Sequence, residues 1–109
     1  MMRRALASTA IAAVVFTTPL FADDSSIRTI THDLGAVIGS EAFCGMTLDQ
    51  AGISTYIEQN IPADQIDFPT NLNMAVLGAQ MYFDGMSAST KLAYCTGITR
   101  SAKAFGLAK

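Results

Sequence analysis

From Ser26 onward the apolar residues recur at helical spacing almost without interruption. Ile27, Ile30, Leu34, Val37 and Ile38 fall on one face of a first helix that reaches to about Phe43. Ser25 or Ser26 can cap its start. Gly39-Ser40 is its weak point: the pair either loosens a continuous helix or ends it and caps a short second one carrying Cys44. The unbroken apolar face favours the continuous helix. A capping box, Thr47 with Gln50 three residues on, then opens a second helix whose buried stripe is Leu48, Ala51, Ile53, Tyr56, Ile57 and Ile61. Asn60-Ile61-Pro62 closes that helix, and Ile66 and Phe68 should tuck the connection onto the core.

Pro69 suits the first turn of a third helix, capped by Asp67 or Thr70. Leu72, Ala75, Val76, Ala79 and Phe83 give its inner face. Met74, Leu77 and Met81 widen that face into a nearly all-apolar cylinder, so this helix is expected at the centre of the fold, stopped by Gly85. Ser87 or Ser89 caps a fourth helix with Leu92, Cys95, Ile98, Thr99, Ala102 and Phe105 on its face, and Gly106 closes it. Arg100 and Lys103 in its last turns suit the helix dipole. No window alternates as a strand would. The expected fold is all-α, a small bundle of about four helices.

The first 22 residues follow a different pattern. Met1-Met2-Arg3-Arg4 is a short positive start, Ala5 to Phe16 is apolar, Pro19 breaks the run, and Leu20-Phe21-Ala22 offers a small residue for cleavage. Residues 1–22 therefore read as a cleavable signal peptide, and residues 23–109 as one helical domain. Ser8, Thr9, Thr17, Thr18 and Pro19 interrupt the run too often for a retained anchor, which needs roughly 20 apolar residues. General secretion fits better than the twin-arginine route, because the strong apolar pair after Arg3-Arg4 is missing. The expected compartment is the periplasm or the exterior.

Removal of the leader changes the charge balance. Arg28, Lys91, Arg100, Lys103 and Lys109 remain against all nine acidic residues, a net charge near −4 with the basic groups scattered. Such a surface does not attract duplex nucleic acid or an anionic membrane. Cysteine usage is equally restrictive: Cys44 and Cys95 are the two cysteines, and an oxidising compartment permits one intramolecular pairing. The enclosed loop of about 50 residues is worth roughly 4 kcal/mol in the chain-entropy model. A redox dithiol or a metal site is the poorer reading, since neither cysteine has a partner at ligand or Cys-x-x-Cys spacing.

Candidate chemistry on this scaffold is sparse. His32 lies off the apolar face beside Asp33, with no nucleophile assignable to it, and reads as a solvated imidazole. Asp64 and Asp67 read as caps of a turn and lack the ligand density of a calcium loop. Met74 and Met81, seven residues apart, read as core filling rather than as a copper site. No catalytic set, metal site or cofactor is expected, and the chain is not expected to be an enzyme. Met81, Tyr82, Phe83 and Met86 form the candidate partner-binding cluster, an adaptable apolar surface for a protein of the cell envelope.

The layout as a whole, a signal peptide followed by roughly 90 helical residues with one disulfide spanning about 50 of them, is similar to that of the small acid-stress chaperones of the enterobacterial periplasm. The resemblance implies a stress chaperone that exposes apolar surface in acid. The sequence itself points first to an exported, non-catalytic interaction module. The chaperone and a carrier of a small apolar ligand are the alternatives.

Overall fold

Four helices follow one another in the order α1 (Asp24–Gly39), α2 (Gln50–Asn60), α3 (Phe68–Gln80) and α4 (Ala88–Ala104) in a computed structural model that describes residues 23–109. The expected signal peptide, residues 1–22, lies outside the described residues. Among the described residues the extended pairing is a single antiparallel bridge, Leu48 to Ala108. The all-α fold expected from the periodicity is the one present.

α1 starts where Asp23 accepts a hydrogen bond from the Ser26 backbone N–H at 2.8 Å, so the cap lies two residues ahead of Ser25 and three ahead of Ser26, the serines that the pattern suggested. It ends at Gly39, and the continuous helix to Phe43 does not form. The chain stays coiled through Cys44 in turns and is closed by Gly45 at φ +64°. The Met46 N–H reaches back to the Glu41 carbonyl at 2.9 Å. α2 begins later than the Thr47–Gln50 box implied. Asp49 caps it by accepting from the Ala51 N–H, while the Leu48 N–H is taken by the Glu41 carboxylate at 2.7 Å. α3 carries Pro69 in its first turn, as expected. α4 is capped by Ser87, whose hydroxyl accepts from the Thr90 N–H at 3.1 Å.

The central helix is α1, not α3. One side of α1 contributes Ile27, Leu34 and Val37 to a core completed by Ile98 and Ala102 of α4 and by Leu48, Ile61, Phe68 and Leu107 from the connections. Its other side meets α3 through glycines. A Cβ at Gly35 would run into the Ala75 methyl, and one at Gly39 would lie 2.7 Å from the Val76 carbonyl oxygen. The two backbones thus approach closely because the sequence leaves out two side chains there. α3 buries that one face and no other, so among its residues only Phe68 is fully buried.

Two further elements complete the core. Leu107 is fully buried by a turn at the end of α4: Gly106 takes φ +75°, the Leu107 N–H bonds to the Ala102 carbonyl at 2.8 Å and the Gly106 N–H to the Lys103 carbonyl at 3.1 Å. This is a Schellman closure, in which the residue after the glycine folds back onto the last turn. The Asp49 N–H donates to the Leu107 carbonyl at 2.8 Å, which ties the start of α2 to the last residues of the chain. Cys44 and Cys95 form the expected disulfide, with sulfurs 2.04 Å apart and Cα atoms 5.4 Å apart, joining the turns after α1 to the middle of α4.

Candidate partner-binding surface

α3 has two apolar faces and, among the described residues, packs chiefly on one helix, α1. Leu72, Ala75, Val76, Ala79 and Phe83 lie toward α1 and the aromatic cluster at its end. On the opposite side Met74, Leu77, Met81 and Tyr82 are 66%, 54%, 80% and 75% exposed. Their spacing of three, four and one residues keeps them on one side of the helix and its terminal turn. No charged residue occurs from Phe68 to Phe83, between Asp67 and Asp84. The face is therefore apolar and uncharged over the whole helix. The expectation that Met74, Leu77 and Met81 fill the core is overturned, because α1 and not α3 is the central helix, and among the described residues no second helix packs on the far side of α3.

Gly78 lies in the middle of this face. A Cβ built there meets no atom within 4 Å, in contrast to Gly35 and Gly39. It forms the floor of a groove of about 500 Å³ together with Ala36, Ala75 and Ala79. Tyr82, Tyr94 and His32 form its rim. His32 is exposed, its Nδ1 lies 3.4 Å from the Asp33 carboxylate, and it shares the groove with Tyr82 and Tyr94.

The polar character of the groove is set by a short chain of hydroxyls. The Ser40 hydroxyl donates to the Ala36 carbonyl at 2.5 Å. With its one proton so used, it accepts from the Tyr94 hydroxyl at 2.6 Å. The Tyr94 oxygen therefore presents only lone pairs to its surroundings. Behind it, Phe43 and Phe83 stack with centroids 4.0 Å apart and planes within 3°, Tyr94 packs edge-on to both, and the Lys91 ammonium lies 4.6 Å from the Phe43 ring centroid. This aromatic cluster clamps the end of α3 to the turns after α1 and to α4.

The four residues singled out from the sequence thus divide. Met81 and Tyr82 are on the outward face, whereas Phe83 is half-buried in the aromatic cluster and Met86 is half-buried in the turn before α4, its N–H bonded to the Phe83 carbonyl at 3.3 Å. Met74 and Leu77 belong to the exposed surface, with the half-buried Gly78 beside them, and were not in the candidate cluster. Their signal was present in the sequence as a second stripe at helical spacing, but a stripe does not say which side has a neighbour. Leu92 of α4 and Ile66 of the connection, both expected inside, are exposed as well. Among the described residues no helix is long and apolar enough to cross a membrane, and no three His, Cys, Asp or Glu side chains converge as metal ligands would. No protein family, curated protein or solved structure matches the chain.

Proposed function

We propose that this chain is an exported, non-catalytic interaction module that docks a protein partner on the uncovered face of α3. One observation carries the reading: Met74, Leu77, Met81 and Tyr82 stand out from a helix that bears no charge along its length. An isolated exposed methionine needs no explanation, but a contiguous apolar patch of this kind marks a contact surface. Methionine suits such a surface because its unbranched, polarisable side chain adapts to different shapes. Support for export comes from the positive, apolar and small-residue pattern of residues 1–22 and from the Cys44–Cys95 crosslink, which is at home in an oxidising compartment. The periplasm or the exterior is the proposed location.

The test uses the oxidised protein as bait in cell-envelope extract, beside Met81→Asp and a control on the exposed face of α2, Thr55→Asp. A partner held by the wild type and the control but lost from Met81→Asp supports the reading. The same set of proteins held by all three variants overturns it.

A further inference from the structure

The chain offers an oxidant few side-chain targets other than thioethers. It has no tryptophan, and both of its cysteines are tied up in the Cys44–Cys95 disulfide. Methionine sulfur is then the side-chain atom most readily oxidised. The described residues hold four methionines, and the fold sorts them into two pairs. Met74 and Met81 on the outer face of α3 are largely exposed. Met46 packs against the core with its sulfur 3.6 Å from the Thr99 hydroxyl, and Met86 is half-buried in the turn before α4. We infer that Met74 and Met81 are paired oxidation sites, converted to methionine sulfoxide by a peroxide or by hypochlorous acid while the core stays intact. The modification needs no partner on this face and stands whether or not a protein docks there.

The step is an oxygen-atom transfer. A sulfur lone pair attacks one oxygen of hydrogen peroxide, the O–O bond breaks as the S–O bond forms, and the second oxygen leaves as water after taking up the proton. Sulfur loses two electrons and the peroxide gains them. With hypochlorous acid the O–Cl bond breaks instead, and chloride and a proton are released. No group of the protein has to act as acid or base in either case, so access to the sulfur ranks the sites.

The placement of the pair decides what oxidation changes. Met81 continues the helical backbone at the end of α3, so the two residues lie about 10 Å apart along the axis and point in nearly the same direction around it. The exposed Leu77 lies between them, in a stretch from Phe68 to Phe83 that carries no charge. Each sulfoxide puts a dipole and a hydrogen-bond acceptor where an apolar atom stood, so two of them break up the apolar face. Neither sulfur belongs to the core, and the fold loses little. Met46 is the opposite case, because its sulfoxide would press a polar group against packed apolar side chains and forms only as the fold opens. The exposure that admits the oxidant also admits the reductases that restore methionine, which makes the modification reversible.

A time course of the disulfide-bonded protein in hydrogen peroxide at pH 7, followed by peptide mass spectrometry and near-UV circular dichroism, tests this. Met74 and Met81 should each gain one oxygen at least about fivefold faster than Met46 or Met86. When both are oxidised, the near-UV signal should be unchanged and retention on a hydrophobic-interaction column should fall. Treatment with the two methionine sulfoxide reductases, one for each sulfoxide epimer, should restore the retention. The double variant Met74→Leu/Met81→Leu keeps the face apolar without thioethers and should hold its retention through the same peroxide treatment. Oxidation of Met46 or Met86 as fast as the α3 pair, loss of the near-UV signal together with oxidation of the pair, or an equal fall in retention in the double variant would each overturn the inference.

Discussion

Glycine has two opposite meanings in this chain, and substitution by alanine separates them. In a helix interior, alanine is favoured over glycine by about 1 kcal/mol when nothing obstructs the new methyl group. At Gly39 the methyl would lie 2.7 Å from the Val76 carbonyl oxygen and 3.2 Å from the Ala79 methyl. The obstruction is backbone and cannot swing away, and overpacking of this kind costs about 1 to 3 kcal/mol. Gly39→Ala should therefore be destabilising by up to about 2 kcal/mol after the propensity gain is subtracted. Gly78→Ala meets open space and should stabilise the fold by about 0.5 to 1 kcal/mol. Urea unfolding at low micromolar concentration measures both, and a shift of the same sign in the two variants would contradict the close packing of α1 on α3.

At the scale of elements, the placement of α3 is what decides which residues are free to act. Had α3 been the central helix, Leu77→Asp would bury an unpaired carboxylate at a cost of several kcal/mol. With Leu77 more than half exposed, Leu77→Asp should leave the melting temperature within a few degrees of the wild type. Leu34→Ala on α1, where the side chain has no exposed surface, should cost about 2 to 5 kcal/mol. Thermal unfolding of the two variants side by side tests the exchange of roles between α1 and α3. Helical periodicity was enough to predict four helices and the inward faces of α1 and of the second half of α4, and the presence of two cysteines behind an export-like leader was enough for the pairing of Cys44 with Cys95. It was not enough for α3, because an all-apolar cylinder looks the same whether a helix is surrounded or lies at an edge. Gly35 and Gly39 held the missing information: a four-residue glycine spacing on α1 marked the line of close approach, and so marked α1 as the helix with neighbours on two sides. The burial of Leu107 was legible too, since a leucine just after Gly106 is the hydrophobic arm of a Schellman closure. The exposed apolar face of α3 was half legible, through Met81 and Tyr82, for the same reason that α3 was misplaced.

For the molecule as a whole, the crosslink and the carboxylates respond to different stresses, and their order separates an interaction module from an acid-triggered chaperone. The disulfide joins residues 51 apart, ties the turns after α1 to α4, and lies beside the aromatic cluster that holds the end of α3. Its removal should cost about 2 to 5 kcal/mol in a domain too small to have much stability in reserve. Acid has less to act on. Among the described residues the one ion pair is the exposed His32–Asp33 contact at 3.4 Å. The Asp23 carboxyl is held below its ordinary value of 3.8, chiefly by the Ser26 backbone N–H that it accepts. A folded-state pKa below the unfolded one means a contribution that is present above about pH 4 and fades as pH falls through the depressed value. Acid thus loosens the first turn of α1, which is solvent-exposed, without reaching Leu34, Val37 or the disulfide. The positive charge left at pH 2 to 3 comes from five basic side chains, His32 and one amino terminus, too little and too scattered to drive the helices apart by self-repulsion. The oxidised protein at pH 2 to 3 should keep its near-UV circular dichroism and bind no more hydrophobic dye than at neutral pH, while reduction at pH 7 should abolish the near-UV signal and raise dye binding. If acid alone released the tertiary structure with the disulfide intact, and client aggregation were suppressed in that state, the resemblance to the acid-stress chaperones would extend from layout to mechanism, and the exposed face of α3 would be a client surface rather than a docking site for a folded partner.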